Sequence, residues 1–290
     1  MTRTNQQETA SPTMTETPDW LRLNRANWDE RVKLHLNAPD IYALDTLRDG
    51  SARLGPITSG VLGCVDGLRI LHLQCHFGFD SLVLARQGAE VVGIDFSAPA
   101  IVAARDLAAE LGLTGRARFV EANVYDAPAA LPEPGSFDRV FVSWGALCWL
   151  PDLPSWARIV ASFLKPGGYL ALAEAHPAAY VFDDATATPD GMPGWYMPYL
   201  GREAILEDRP EDYADPAARL KNSRTVEFLH PLSDILMAAI AAGLRIDRFE
   251  EHGAIAWRMF AGLVRHGRGD YRWPDKPWLP LSYSLRAVKE

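Results

Sequence analysis

From residue 68 onward the hydrophobic positions come in short unbroken runs, separated by stretches in which they recur at helical spacing. Runs with no polar face suit strands covered on both sides, and the helical stretches between them suit the crossovers of a parallel sheet. The pattern predicts strands at residues 69–74, 90–95, 117–121, 138–143 and 169–174, with helices at about 80–87, 97–111 and 153–164. Ser97 followed by Pro99 marks a helix start, and Gly112 and Gly115 break the chain before the third strand. The rhythm then fails for residues 176–225, which are dense in Pro, Asp, Tyr and Trp and include Gly194-Trp-Tyr-Met-Pro-Tyr199. A loop of that length in a compact domain is usually functional, so 177–226 reads as a substrate-covering insertion. A helix at 232–242, a strand at 244–250 and a last strand at 281–288 follow. Between them, Trp257, Phe260, Tyr271, Trp273 and Trp278 are expected on the sheet edge or the pocket mouth.

Ahead of the sheet, residues 1–18 are too polar to offset the entropy of ordering and read as a disordered tail. Asp19 can cap a helix running to about Leu36, with Leu21, Trp28, Val32 and His35 on one stripe. Residues 38–66 read as an irregular approach, so 19–66 form a helical cap on one elaborated α/β domain spanning 67–290.

Composition narrows the partners. With 290 residues and 48% apolar content the chain can bury a large core. A formal charge of −8 and the lack of any Lys/Arg cluster argue against nucleic acid and anionic membrane surfaces. Cys64, Cys75 and Cys148 are scattered and odd in number, without metal-site spacing, which suits a reducing cytoplasm and no metal. Neither a secretion leader nor a membrane-spanning run is read.

Ligands of open parallel sheets bind beyond the carboxyl ends of the strands. Those positions are residues 74–80, Asp95 with Phe96, Asn123 with Val124, and residues 143–145. Asp95 lies seventeen positions after Gly78, near the spacing at which an acidic side chain accepts from ribose hydroxyls; its plainer role is a strand-end cap.

Five segments in order carry a resemblance: Leu71-His-Leu-Gln-Cys-His-Phe-Gly78, Val92-Gly-Ile-Asp-Phe-Ser97, Phe119-Val-Glu-Ala-Asn-Val124, Phe137-Asp-Arg-Val-Phe-Val-Ser-Trp-Gly145 and Leu164-Lys-Pro-Gly-Gly-Tyr-Leu170. Together residues 68–175 resemble a class I S-adenosylmethionine-dependent methyltransferase. The resemblance implies a doubly wound, mostly parallel seven-stranded sheet whose last strand is antiparallel. It also implies S-adenosylmethionine as cofactor and S-adenosylhomocysteine as product. Residue by residue, it places Phe77 and Gly78 at the methionine part, Asp95 at the ribose, Phe96 on adenine, and Asn123 with Val124 at the adenine edge. Ser143, Trp144 and Gly145 would pass near the reacting methyl, and Asp80 would receive the cofactor ammonium or cap a helix. Gln74 and His76 stand where the family has glycines, and His72 where it has an acidic residue. Gln74 and His76 are therefore expected to touch the cofactor through side chains.

Methyl transfer from a sulfonium needs alignment and water exclusion more than covalent help, though oxygen and nitrogen acceptors often need a base. His176, after the fifth strand, is the first candidate, Glu174 its orienting or alternative carboxylate, and His230 the second base candidate. Trp144, Trp195, Tyr196 and Tyr199 would wall an aromatic or hydrophobic acceptor, joined by Tyr42 and by Trp28, whose plainer role is core packing, as is that of Trp149. The expected activity is methylation of oxygen, nitrogen or in some cases carbon on a small molecule. The alternatives are a non-catalytic S-adenosylmethionine-binding or sensing protein on the same fold, and an NAD-dependent oxidoreductase, which the missing Gly-x-Gly-x-x-Gly disfavours. A homodimer is compatible with the sequence, though no feature of the chain requires one.

Overall fold

A computed structural model describes residues 19–39, 41–215, 217–267 and 269–290; the expected tail at 1–18 lies outside the described residues. The chain folds around seven strands: β1 (Arg69–Leu73), β2 (Glu90–Asp95), β3 (Ala117–Glu121), β4 (Phe137–Ser143), β5 (Leu164–Ala175), and, after two strands of a separate hairpin, two more near the C-terminus. The hairpin is β6 (Ala204–Asp208) with β7 (Arg224–Phe228); the C-terminal pair is β8 (Leu244–His252) and β9 (Ser282–Lys289). The sheet order is β8-β9-β5-β4-β1-β2-β3, with β9 antiparallel to both neighbours and the others parallel to one another.

Both faces of the sheet are covered, as its unbroken apolar runs require. One face packs on α6 (Leu153–Phe163) and α7 (Leu232–Ala241), with Trp156, Val160 and Phe163 buried. The other packs on α4 (Phe79–Arg86) and α5 (Ala98–Glu110), joined by two short helices, α2 (Leu44–Asp49) and α3 (Pro56–Leu62). These short helices correct the expectation of an irregular approach over 38–66. Their weak pattern follows from their length: at under two turns each, the helical spacing barely repeats.

The fifth strand also differs from expectation. It begins at Leu164, and the Lys165-Pro-Gly-Gly168 segment lies within it as an irregularity: Phe137 pairs with Leu164, but Arg139 pairs with Tyr169. Gly167 takes φ 76°, which lets the strand loop out and rejoin in register.

Helix α1 (Trp20–Leu36) starts as expected, Asp19 accepting from the Arg22 amide. Its buried residues are Asn24, Asn27, Val32 and His35, a largely polar stripe. The reason is its partner. Asn24 Nδ2 donates to Val226 O at 2.8 Å and its Oδ1 accepts from Val226 N at 2.7 Å, so the asparagine amide completes the free edge of β7. Asn27 Nδ2 donates to Asn222 O at 2.7 Å, and the Glu30 carboxylate accepts from the Lys221 and Asn222 amides. The cap and the insertion are thereby one unit, and the insertion is an ordered hairpin with its own wall where the sequence suggested a structureless cover.

Candidate active site

The loop after β1 keeps a backbone that glycines would adopt freely, without the glycines. Gln74 and His76 take φ 56° and 51°, left-handed values that cost a non-glycine residue about 1–2 kcal/mol. Each is held by its side chain. Gln74 Nε2 donates to Ala146 O at 2.8 Å. His76 Nε2 lies 2.9 Å from His35 Nδ1, whose Nε2 lies 3.1 Å from Asp212 Oδ2, which also receives Arg31 Nη1 at 2.8 Å. Gly78 admits no such exchange, because a Cβ there would come within 2.5 Å of the Phe119 ring.

Asp95 ties this loop to the end of β2. Its Oδ2 accepts from the His76 amide at 2.8 Å and its Oδ1 from Ser97 N at 2.9 Å. Burial pushes its carboxyl up to about 6, against the pull of those amides. Asp80 is likewise raised to about 6 by burial; it accepts from Ser143 Oγ at 3.2 Å and makes no hydrogen bond to the first turn of α4 among the described residues. Asn123 Oδ1 caps the Tyr125 amide at 3.2 Å, and its NH₂ makes no hydrogen bond among the described residues. His72, expected as a departure of the first motif, is buried with Nδ1 2.8 Å from Ser81 Oγ, and burial lowers its pKa to about 3.

Two spaces open off this edge. A cleft of about 20 Å³ is lined by Asn123, Val124, Trp149, Trp20 and neighbours. It shares Gln74, Asp95, Phe96 and Trp149 with the wall of a cavity of about 1450 Å³. The cavity wall includes His76, Phe77, Asp80, Ser143, Trp144, Gly145, Trp28 and Tyr42 on the sheet side, and Tyr180, Tyr196, Glu207, Arg209, Asp212, Thr225 and Glu227 on the insertion side. Trp144 takes φ 50° and donates Nε1 to Thr58 Oγ1 at 3.1 Å, with its ring edge-on to Trp257.

The three expected acid–base residues are not in that wall. Glu174 is buried and accepts from the amides of Gly145, Ala146, Leu147 and Ala175, so it anchors the turn after β4. Burial raises its carboxyl in spite of those amides. His176 is 4% exposed; its Nδ1 accepts from Ala178 N at 3.1 Å and its Nε2 lies 3.1 Å from Glu251 Oε1. Burial lowers it, with Glu251 opposing. His230 binds Leu150 O through Nε2 at 2.7 Å. In each case the end of a strand or loop turned the side chain back into the framework. Of the expected aromatic wall, Trp195 is 78% exposed and stacks on Phe182, and the Tyr199 hydroxyl accepts from Leu232 N; neither lines the cavity. Trp28 and Trp149, whose plainer role is core packing, do line it and meet edge to face at 5.6 Å between ring centres.

Residues 70–168 match the family model described as a methyltransferase domain. They are a class I S-adenosylmethionine-dependent methyltransferase domain. Among curated relatives, methyltransferase GfsG of Streptomyces halstedii is 31% identical over 53% of this chain and 54% of its own length. The chain thus spans about half of that relative. A ubiquinone biosynthesis O-methyltransferase of Pectobacterium carotovorum is 26% identical over 75% of this chain and 82% of its own. A solved S-adenosylmethionine-dependent methyltransferase structure from Listeria monocytogenes superposes with a TM-score of 0.58 at 17% identity, covering 80% of this chain and 95% of that one, which shows the shared fold.

The insertion side of the methyltransferase domain's cavity holds the groups that sequence reasoning missed. Glu227 is foremost: its carboxyl is pushed up to about 7 by burial and then by Glu207, with Arg209 and Arg31 opposing. The signal was available in Arg224-Thr-Val-Glu-Phe228, an alternating strand at the very end of the segment read as irregular. His35 and Asp212 were invisible as a pair because 177 positions separate them.

Proposed function

We propose that this chain moves a methyl group from S-adenosylmethionine to an oxygen or nitrogen atom of a small molecule held in the large cavity. The observation that carries the reading is a shared wall: Gln74, Asp95 and Phe96, at the strand ends of the domain, line both the small cleft and a large cavity whose wall is completed by α1 and the insertion.

The residues fit such a cofactor. Gln74 Oε1 is a buried acceptor, and Trp28 Nε1 a buried donor, without hydrogen-bond partners among the described residues. Asp80 offers a carboxylate to the ammonium, Asp95 to the ribose, and Phe96 a ring to the adenine. When bound, the sulfonium supplies an activated methyl group that needs no covalent help. The chain's task is to align an acceptor and exclude water, which the apolar walls of Trp144, Trp257 and Phe260 favour. An acidic chain without a membrane-spanning helix among the described residues supports a small acceptor.

Calorimetry with S-adenosylmethionine and S-adenosylhomocysteine tests this. One competitive site per chain is expected; no heat from either at millimolar concentration would sink it.

A further inference from the structure

We propose that the methyl acceptor is an amine, taken up as its ammonium ion, and that Glu227 is the carboxylate that receives it. This deepens the methyl-transfer reading and rests on it for the chemistry, though not for the binding. Glu227 lies on β7, whose cavity-facing side also carries Thr225; across the hairpin Glu207 pairs with Thr225 and Ile205 with Glu227. The other acids of the insertion side of the wall have their cations. Arg209 reaches Glu207 at 3.0 Å and Asp183 at 2.9 Å, and Arg31 reaches Asp212 at 2.8 Å. Glu227 has no hydrogen bond or ion pair among the described residues, and its half-buried carboxylate faces the cavity.

A carboxylate drawn out of water without a partner is costly, and a ligand that brings positive charge removes the cost. A neutral alcohol would satisfy one lone pair and leave the charge; an anionic acceptor would be repelled. The rest of the wall agrees. It carries eight carboxylates (Asp80, Asp95, Asp183, Glu207, Glu211, Asp212, Glu227 and Asp270) against four guanidinium groups among the described residues. Tyr180, Tyr196 and Trp257 add ring faces of the kind that attract ammonium ions. Position fits too, because β7 packs on the turn Leu147–Trp149 that directly follows residues 143–145, where the reacting methyl is expected.

The step balances without another reactant. Glu227 takes one proton from the ammonium, freeing the nitrogen lone pair. That pair forms the nitrogen–carbon bond to the methyl as the carbon–sulfur bond breaks, its electrons staying on sulfur, and the product leaves as a methylated ammonium. The raised carboxyl of Glu227 suits a proton acceptor working near neutral pH. Its titration is set first by burial, then by Glu207 and Arg209 on β6 and its following loop and by Arg31 on α1; Cys148 and Tyr180, from the two short turns beside it, also face it and are raised in part by its charge.

Phenethylammonium and 2-phenylethanol share a skeleton and serve as probes, with butylammonium and tryptammonium bracketing size. Each is titrated into the full chain at pH 8, without and with S-adenosylhomocysteine. At least one amine should bind about tenfold or more tighter than its alcohol, and the preference should fade as the pH is lowered below about 7 and Glu227 is protonated. Glu227→Gln should abolish the preference while S-adenosylhomocysteine affinity stays within about twofold, and Glu227→Asp should restore part of it. With S-adenosylmethionine, label should pass to the amine and not to the alcohol. Equal binding of amine and alcohol, no binding by any amine of the set, or a preference that survives in Glu227→Gln overturns the proposal. Failure of the methyl-transfer reading shows separately, as absent S-adenosylhomocysteine heat beside an intact amine preference.

Discussion

The sheet-side wall of the cavity, from Gln74 to Gly145, keeps its working groups one step beyond strand ends, where main-chain amides and carbonyls hold them. The insertion-side wall, from Asp183 to Glu227, keeps them as side chains on a two-stranded hairpin, held by other side chains from α1 and the loops. Apart from Gln74 Oε1, which stays open to a ligand, the first wall is therefore saturated: Asp95 accepts two amides and Glu174, behind it, four. The second is left with a carboxylate, Glu227, that has no hydrogen bond or ion pair among the described residues. A saturated wall is suited to a ligand that never changes, and an unsaturated one to the ligand that must be told apart from others.

The largest effect should come from breaking the saturated wall. Glu174→Ala leaves four main-chain amides without their acceptor, each costing about 1–3 kcal/mol when buried. With partial relaxation, a loss of at least about 3 kcal/mol is expected, roughly 6–12 °C in melting temperature. A melting temperature within a degree or two of the parent would mean that Glu174 does not anchor the turn. Next, Asp95→Ala removes both the expected ribose acceptor and the tie to the His76 amide. S-adenosylhomocysteine affinity should fall about thirtyfold or more, a difference of about 2 kcal/mol; calorimetry showing parental affinity would remove Asp95 from the binding site.

The same contrast explains what could be read from the sequence. Strand β2 lies where its apolar run predicts, because burial on both faces leaves no choice of period, and the edge strand β3 lies where expected with burial on alternate positions. The ordering of the five segments placed the sheet-side wall almost whole, since those positions follow from strand ends. His176 and Glu174 misled because a strand end fixes where a residue lies along the chain but not which way its side chain turns: both turn into the framework. The hairpin, beyond the alternation of its second strand, was hard to read for another reason. Its two strands are separated by fifteen positions, and its outer edge is completed by Asn24 of α1, some two hundred positions away.

A line of rings joins the two walls, and its protons can be moved. Asp212 can only accept, so with neutral rings His35 carries its proton on Nε2, His76 donates from Nε2 to His35 Nδ1, and His76 Nδ1 is left with its lone pair. Burial, followed by the neighbouring His35, lowers the His76 pKa well below the usual imidazole value, which keeps that ring neutral. Asp212→Asn presents an NH₂ to His35 Nε2 and should reverse both tautomers, moving the His76 proton to Nδ1. Ring nitrogen shifts would show the exchange, with about 1–2 kcal/mol of stability lost for the charged hydrogen bonds. Unchanged tautomers would mean that the chain of rings is not set by Asp212.

The smallest expected effect has the opposite sign and isolates the unsaturated wall. The Glu227 carboxyl titrates at about 7 in the folded chain against 4.5 ordinarily, so between those values the folded chain holds a proton that the unfolded chain has released. Stability therefore falls as pH rises through that window, and above it the full cost of the buried charge is present. Glu227→Gln cannot ionise. Its stability relative to the parent should be near zero below pH 4.5 and rise to about 1–2 kcal/mol above pH 7, under the linkage limit of about 3 kcal/mol because the side chain is only half buried, a gain of roughly 2–8 °C in melting temperature at pH 8. Added phenethylammonium should narrow the gap by stabilising the parent alone. A difference that is flat in pH would show that Glu227 is already compensated in the folded chain, and the two walls would then no longer differ in the way their hydrogen bonds indicate.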